Sequence, residues 1–133
     1  MNRLSLQDRT QILGCPVEGN SLRATTRMCG VSINTVTKLL VGLGTACAIY
    51  QNETPHKFSC KRVQVDEIWS FCYSKQTNIP EDMRNVDGIG DVWTWVAIDA
   101  DTKLVASWLV GTRDADCAND FISDVASRFV VFN

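Results

Sequence analysis

The carboxylate best placed to do chemistry in this sequence is Asp66. It lies inside Val63-Gln64-Val65-Asp66-Glu67-Ile68-Trp69-Ser70-Phe71, a β-branched and aromatic run reaching Tyr73. That pattern predicts a strand buried on both faces. An unpaired carboxylate is costly to bury there, so Asp66 calls for a cation, either a basic side chain or a metal ion. Glu67 points to the opposite face of such a strand and is the poorer candidate to share the task. Asp99, in Asp99-Ala100-Asp101-Thr102, reads first as a turn former, because a short carboxylate accepts hydrogen bonds from its own downstream backbone. A compact metal-dependent nuclease built on Asp66, Glu67 and Asp99 is a minor alternative, and it predicts divalent-ion-dependent cleavage by the chain itself.

The six cysteines point elsewhere. Cys15, Cys29, Cys47, Cys60, Cys72 and Cys117 are scattered, form no C-x-x-C, and have only His56 as a nitrogen-ligand companion. Neither a zinc site nor a disulfide framework follows from that spacing. Reduced thiols acting as small hydrophobic side chains are expected, and the single histidine has no evident pairing that would activate a nucleophilic cysteine.

A second group of residues lies in the first third of the chain. Arg23 and Arg27 stand one helical turn apart in Leu22–Cys29, a predicted helix that Ser21 can cap. Gly30 breaks this helix by accepting a left-handed turn. Val31 plugs the angle, and Ser32 caps a third helix from Ile33 to about Val41. Ile33, Val36 and Leu40 should face inward, leaving Asn34, Thr35, Thr37 and Lys38 outside. A short helix with polar residues at its N-terminal end can enter the major groove and reach base edges, while arginines on the preceding helix hold phosphates. The sequence Gly30-Val31-Ser32-Ile33-Asn34-Thr35-Val36-Thr37-Lys38-Leu39-Leu40 resembles the turn and recognition helix of helix-turn-helix proteins. Its candidate DNA contacts are Arg23, Arg27, Ser32, Asn34, Thr35 and Lys38.

The elements that must position these groups follow from local signals. Ser5-Leu6-Gln7-Asp8 has the form of a capping box opening a first helix, which Pro16 should kink or end; Gly19-Asn20 then turns the chain. Gly42 and Gly44 weaken the helical pattern, with Cys47-Ala48-Ile49-Tyr50 a candidate extension of a helix. Residues 51–60 read as a linker between a helical segment at 1–50 and a mixed segment at 61–133. Within the latter, residues 74–91 form a long loop with Pro80, Gly88 and Gly90. Val92–Ile98 and Leu104–Val110 pair as a hairpin with Trp93 and Trp95 on one face. Asp114 or Thr112 caps a final helix with Cys117, Phe121, Ile122, Val125 and Phe129 on one side. The fold class is α+β.

Composition agrees with a folded chain: 133 residues, 45% hydrophobic and 21% charged. The net charge of −2 conceals a polarity. Met1 to Arg62 carries eight basic and three acidic residues, a net +5, whereas Val63 to Asn133 carries five basic and twelve acidic, a net −7. A basic front suits a polyanion and an acidic back suits a metal. No apolar run reaches the ~20 residues of a membrane span, and no apolar stretch follows the N-terminus as a signal peptide requires. A cytoplasmic protein without membrane association is expected.

Order and spacing carry one more reading. Val65-Asp66-Glu67-Ile68-Trp69-Ser70-Phe71 and Ala97-Ile98-Asp99-Ala100-Asp101-Thr102-Lys103-Leu104, preceded by the helix-turn-helix pattern, closely resemble the opening of DDE transposases from bacterial insertion sequences. The resemblance covers nearly the whole chain. It implies an all-α helix-turn-helix segment followed by an incomplete RNase H-like domain of three strands and a first helix. It also implies Asp66 as the first of three carboxylates that hold two Mg2+ ions for phosphodiester cleavage and strand transfer. The family's other two carboxylates lie on later elements, so the chain is expected to be a C-terminally truncated copy, inactive alone. Phe129-Val130-Val131-Phe132-Asn133 would be the start of a further strand or an unrelated tail. The implied partners are the double-stranded terminal repeats of the element, with an intact transposase or a second copy of the chain as protein partner. A small helix-turn-helix transcriptional regulator, with Asp66 merely structural, is the alternative.

Overall fold

The computed structural model describes residues 3–53 and 57–130. Its contacts divide the chain into two compact units, Met1–Asn52 and Glu53–Asn133. Among the described residues they hold four α-helices and one three-stranded antiparallel sheet, an α+β content.

The first unit is helical. Helix α1 spans Leu6–Val17 and opens with a complete capping box, the Ser5 hydroxyl accepting from Asp8 N while the Asp8 carboxylate accepts from Ser5 N. Two backbone donors are satisfied reciprocally in this way. Pro16 lies in the final turn, where the helix ends. Gly19 turns the chain with φ +85°, and Ser21 caps α2, Leu22–Cys29, by accepting from Ala24 N. Gly30 then terminates α2 in the left-handed conformation at φ +65°. The Ser32 hydroxyl accepts from Thr35 N at the start of α3, Ile33–Glu53. Ile12, Thr25 and Val36, one from each helix, are fully buried.

Helix α3 departs from expectation in two ways. It runs unbroken for 21 residues through Gly42 and Gly44, so Gln51–Glu53 is helix rather than linker. A helical glycine costs only about 1 kcal/mol, and Leu43 and Ala46–Ile49 sustain the helix on either side. By length and composition α3 is therefore long and apolar enough to cross a membrane, with a mean hydropathy of 1.3. This corrects the expectation that no segment reaches that length. Ile33, expected inside, is exposed.

The remainder of the 51–60 segment is described only in part, since residues 54–56 lie outside the described residues. Phe58 forms an isolated parallel bridge with Phe129: Phe58 N donates to Arg128 O at 2.8 Å and Val130 N to Phe58 O at 3.0 Å. The chain leaving the last helix thus runs beside the segment that enters the sheet. Residues 131–133 lie outside the described residues.

The second unit is built on strands β1 (Val63–Cys72), β2 (Gly90–Asp99) and β3 (Val105–Gly111), in that spatial order. In the β1–β2 register Asp66 lies opposite Val96, Glu67 opposite Trp95 and Trp69 opposite Trp93. The β2–β3 register shifts between Ala97 and Ile98. The 74–89 connection contains two short 3-10 turns, Gln76–Asn78 and Glu81–Met83, and buries Ile79. Helix α4, Ala115–Arg128, is capped by Asp114, whose carboxylate accepts from Cys117 N at 2.9 Å.

Helix α4 packs against one sheet face. Trp95, Ala97 and Phe121 form the core, with the Trp95 and Phe121 rings 5.8 Å apart. Trp93, Leu109, Cys117, Ala118 and Val125 surround it. Ser107, buried on β3, donates to Asp124, which also accepts from Arg128 Nε at 2.7 Å. Arg128 is only 3% exposed, so this pairing is what makes its burial tolerable. Ile122, expected in the core, is exposed.

The expectation that β1 is buried on both faces is overturned. Every residue of β1 except Glu67 is exposed. Two physical reasons combine: α4 covers only the face that carries Trp95 and Ala97, and on that face Val65, Trp69 and Phe71 lie at the sheet edge, away from β3, which α4 contacts. The face bearing Asp66 also carries Ile68, Trp108 and Val110, all exposed. The apolar alternation of β1 is real, but α4 covers only the opposite face of the sheet, and that on the β3 side.

Candidate functional site

Two clusters merit attention, one in each unit. In the first, the outer surface of α3 presents the polar residues that sequence reasoning selected. Asn34 and Lys38 are exposed, and with Thr37 and Val41 they line a shallow groove of about 330 Å3. Ser32 and Thr35 are partly committed to local structure. Their hydroxyls lie 2.9 Å apart, and Ser32 caps the helix. Thr37 likewise donates back to Ile33 O at 2.9 Å. Asn34 and Lys38 therefore have the side chains most available to an outside partner: neither is hydrogen bonded or ion paired among the described residues. Arg23 and Arg27 are exposed on α2, separated by one turn.

The structure adds two residues that sequence reasoning missed. Arg3 and Arg9 line a second groove, of about 740 Å3, together with Ser32, Thr35 and Lys38. Arg3 precedes the first helix and Arg9 belongs to its second turn, so nothing in their spacing advertises a shared surface with α3. A surplus of positive charge before Arg62 was the only hint.

In the second unit Asp66 is exposed and its Oδ1 accepts from Glu67 N at 2.8 Å. It forms no ion pair among the described residues. Glu67 lies on the opposite face, where Arg113 Nε donates to it at 2.5 Å while the Arg113 guanidinium sits 5.0 Å from the centre of the Trp93 ring. Asp99 closes the β2–β3 turn: it accepts from Thr102 Oγ1 at 2.6 Å, Cys60 Sγ at 3.1 Å and Asp101 N at 3.1 Å. Those donors, Thr102 first, hold its carboxyl well down at about 2. Asp114, which accepts from Cys117 N and from the Thr112 hydroxyl, is also lowered.

Asp66, Glu67 and Asp99 are thus not brought together. Asp66 points to one face and the other two to the opposite one, each with its own partners. No group of three or more potential metal-ligating side chains occurs among the described residues. A two-metal centre needs several carboxylates converging on one point, and Asp66 alone does not fit that requirement.

All six cysteines are free thiols. Cys47 and Cys72 are exposed rather than packed as small hydrophobic side chains. Cys15 and Cys29 bring their sulfurs within 3.8 Å between α1 and α2, and burial, together with that contact, pushes the Cys29 thiol up. Burial and the Asp99 carboxylate do the same to Cys60.

Comparison with protein-family models, with curated proteins and with solved structures found no match in any of the three.

Proposed function

We propose that this chain binds double-stranded DNA through a helix-turn-helix formed by α2, Gly30 and α3, and that its elements are those with which a DDE transposase of a bacterial insertion sequence opens. The supporting observation is the local geometry at residues 21–38. Two helices, each capped by a serine, flank a left-handed glycine at φ +65°, and Asn34 and Lys38 stand exposed on the first turns of the second helix. Polar side chains there can reach base edges, with Arg23 and Arg27 on phosphates. The mixed unit supports the transposase reading by its strand order. A strand bearing Asp66 is followed by an antiparallel pair and a helix, the sequence of elements with which an RNase H-like domain opens.

Catalysis is not assigned to these 133 residues. One carboxylate, Asp66, matches the family pattern, and a single carboxylate cannot hold two Mg2+ ions in reacting geometry. The activity proposed for the chain itself is occupancy of the element's terminal repeats, in the bacterial cytoplasm, in competition or in company with an intact transposase. Gel-shift titration against terminal-repeat duplexes tests this. Binding at least about tenfold tighter than to a random duplex is expected, and equal binding to both would remove the proposal.

The isolation of Asp66 favours a second reading, a small helix-turn-helix regulator in which that residue has no metal to hold. Asp66→Ala, assayed for strand transfer and for end binding with the second and third carboxylates of the family supplied by an appended catalytic segment, separates the two. A transposase loses strand transfer while keeping end binding, whereas a regulator keeps its whole activity.

A further inference from the structure

We propose that the groove between the start of α1 and the outer side of α3, carrying Arg3, Arg9 and Lys38, is a phosphodiester-binding clamp that grips the DNA backbone beside the α3 contact face. The inference rests on the reading of α3 as a duplex-binding helix and adds a site to it.

Charge is the first argument. Three cations line one open groove of about 740 Å3, and none of the residues lining it is acidic. None of the three forms an ion pair among the described residues. Asp8, the acid nearest in sequence to Arg9, is occupied by the Ser5 cap, whose hydrogen bonds lower its carboxyl. Like charges gathered without a counter-charge repel one another, and an anion in the groove relieves that repulsion.

Continuity is the second argument. Lys38 lines both this groove and the adjoining one that carries Asn34 and Thr37. A ligand that follows Lys38 from one groove to the next is an extended polyanion rather than an isolated phosphate. The lining also fits a nucleic-acid backbone: Ser32 and Thr35 hydroxyls offer hydrogen bonds, and Leu4, Val31 and Leu39 give an apolar floor against which a sugar can rest. Arg3 and Arg9 then contact phosphate without reading bases, so their contribution is the same for every sequence.

The test measures fluorescence anisotropy of a labelled random-sequence duplex against the intact chain over a series of potassium chloride concentrations. Releasing one condensed counterion for each neutralised phosphate makes log K fall linearly with log salt. Arg3→Gln combined with Arg9→Gln is expected to weaken binding uniformly across sequences and to reduce the salt slope by roughly 1 for each arginine removed. The Arg3→Lys, Arg9→Lys pair should keep most of the slope. Arg3→Gln alone, which lies outside any helix, keeps the test valid should the Arg9 change disturb α1.

An unchanged slope in a folded double Gln variant overturns the clamp. So does an equal loss from Lys75→Gln with Arg84→Gln, cations of the other unit, since the effect would then be bulk charge. So does single-stranded DNA binding as tightly as duplex. Failure of the clamp and failure of the underlying reading look different. If Asn34→Ala alters sequence preference while the arginine variants leave the slope unchanged, only the clamp is lost. If the unmodified chain binds no duplex at all, both are.

Discussion

Among single residues, Asp99 illustrates how a side chain that looks chemical can be wholly structural. Its carboxylate gathers donors from Thr102, Cys60 and Asp101, and its pKa falls from 3.8 to about 2. A depressed folded-state pKa stabilises the native state above the unfolded pKa, and the contribution is lost as pH falls through the folded value. The hairpin should therefore be insensitive to Asp99 protonation above about pH 4 and lose its turn support progressively toward pH 2. Asp99→Asn should remove that acid-limb dependence and lower the thermal midpoint at neutral pH. Carboxyl-detected NMR titration of Asp99 checks it directly, and an ordinary aspartate midpoint would contradict the hydrogen-bond geometry. The turn role was legible in Asp99-Ala100-Asp101-Thr102, because Asx turns are local. The setting of Asp66 was not. Alternation in β1 says which residues share a face, but only the packing of α4 on the Trp95 and Ala97 face decides that the Asp66 face stays exposed. Spacing within β1 carries no trace of which face a distant helix covers.

The elements sort their glycines into two kinds. Gly30 sits at φ +65° with open space around it, so a Cβ there meets no atom but does meet the backbone penalty of the left-handed region. Gly30→Ala should destabilise the helical unit by about 1–2 kcal/mol, whereas Gly30→Asn should cost less. Gly42 and Gly44 have ordinary helical backbone, and a methyl group added at either position would have no atom within 4 Å beyond its chain neighbours and its own helix backbone. Their replacement by alanine should stabilise α3 by about 0.5–1 kcal/mol each. Urea unfolding followed by far-ultraviolet circular dichroism reads both signs in one series. A Gly42→Ala variant that loses stability would mean that a neighbour approaches the helix there. The same contrast explains what the sequence told and withheld. Caps and the Gly30 turn are local hydrogen-bond patterns, recognisable as Ser21, Gly30 and Ser32. The continuation of α3 through two glycines is a sum of small propensities in which no single residue announces the outcome.

For the whole molecule, the two units differ in charge as well as core. The helical unit, with five basic residues against two acidic, centres on Ile12, Thr25 and Val36, while the second unit, with eight basic against thirteen acidic, centres on Trp95, Ala97 and Phe121. All four tryptophans, Trp69, Trp93, Trp95 and Trp108, lie in the second unit, so indole fluorescence reports its unfolding and is silent on the first. Phe121 is fully buried against Trp95. Phe121→Ala should remove about 3–5 kcal/mol from the sheet unit, a large share of what a domain of this size possesses. Because α2 and α3 build their turn and caps entirely within the first unit, the duplex binding proposed for them should survive that loss. The measurement pairs tryptophan-detected unfolding with anisotropy of the labelled duplex on the same variant. A collapsed fluorescence transition with unchanged affinity is expected. Affinity that falls with the sheet would mean that the two units share their free energy, and DNA contact could then no longer be attributed to the helices alone.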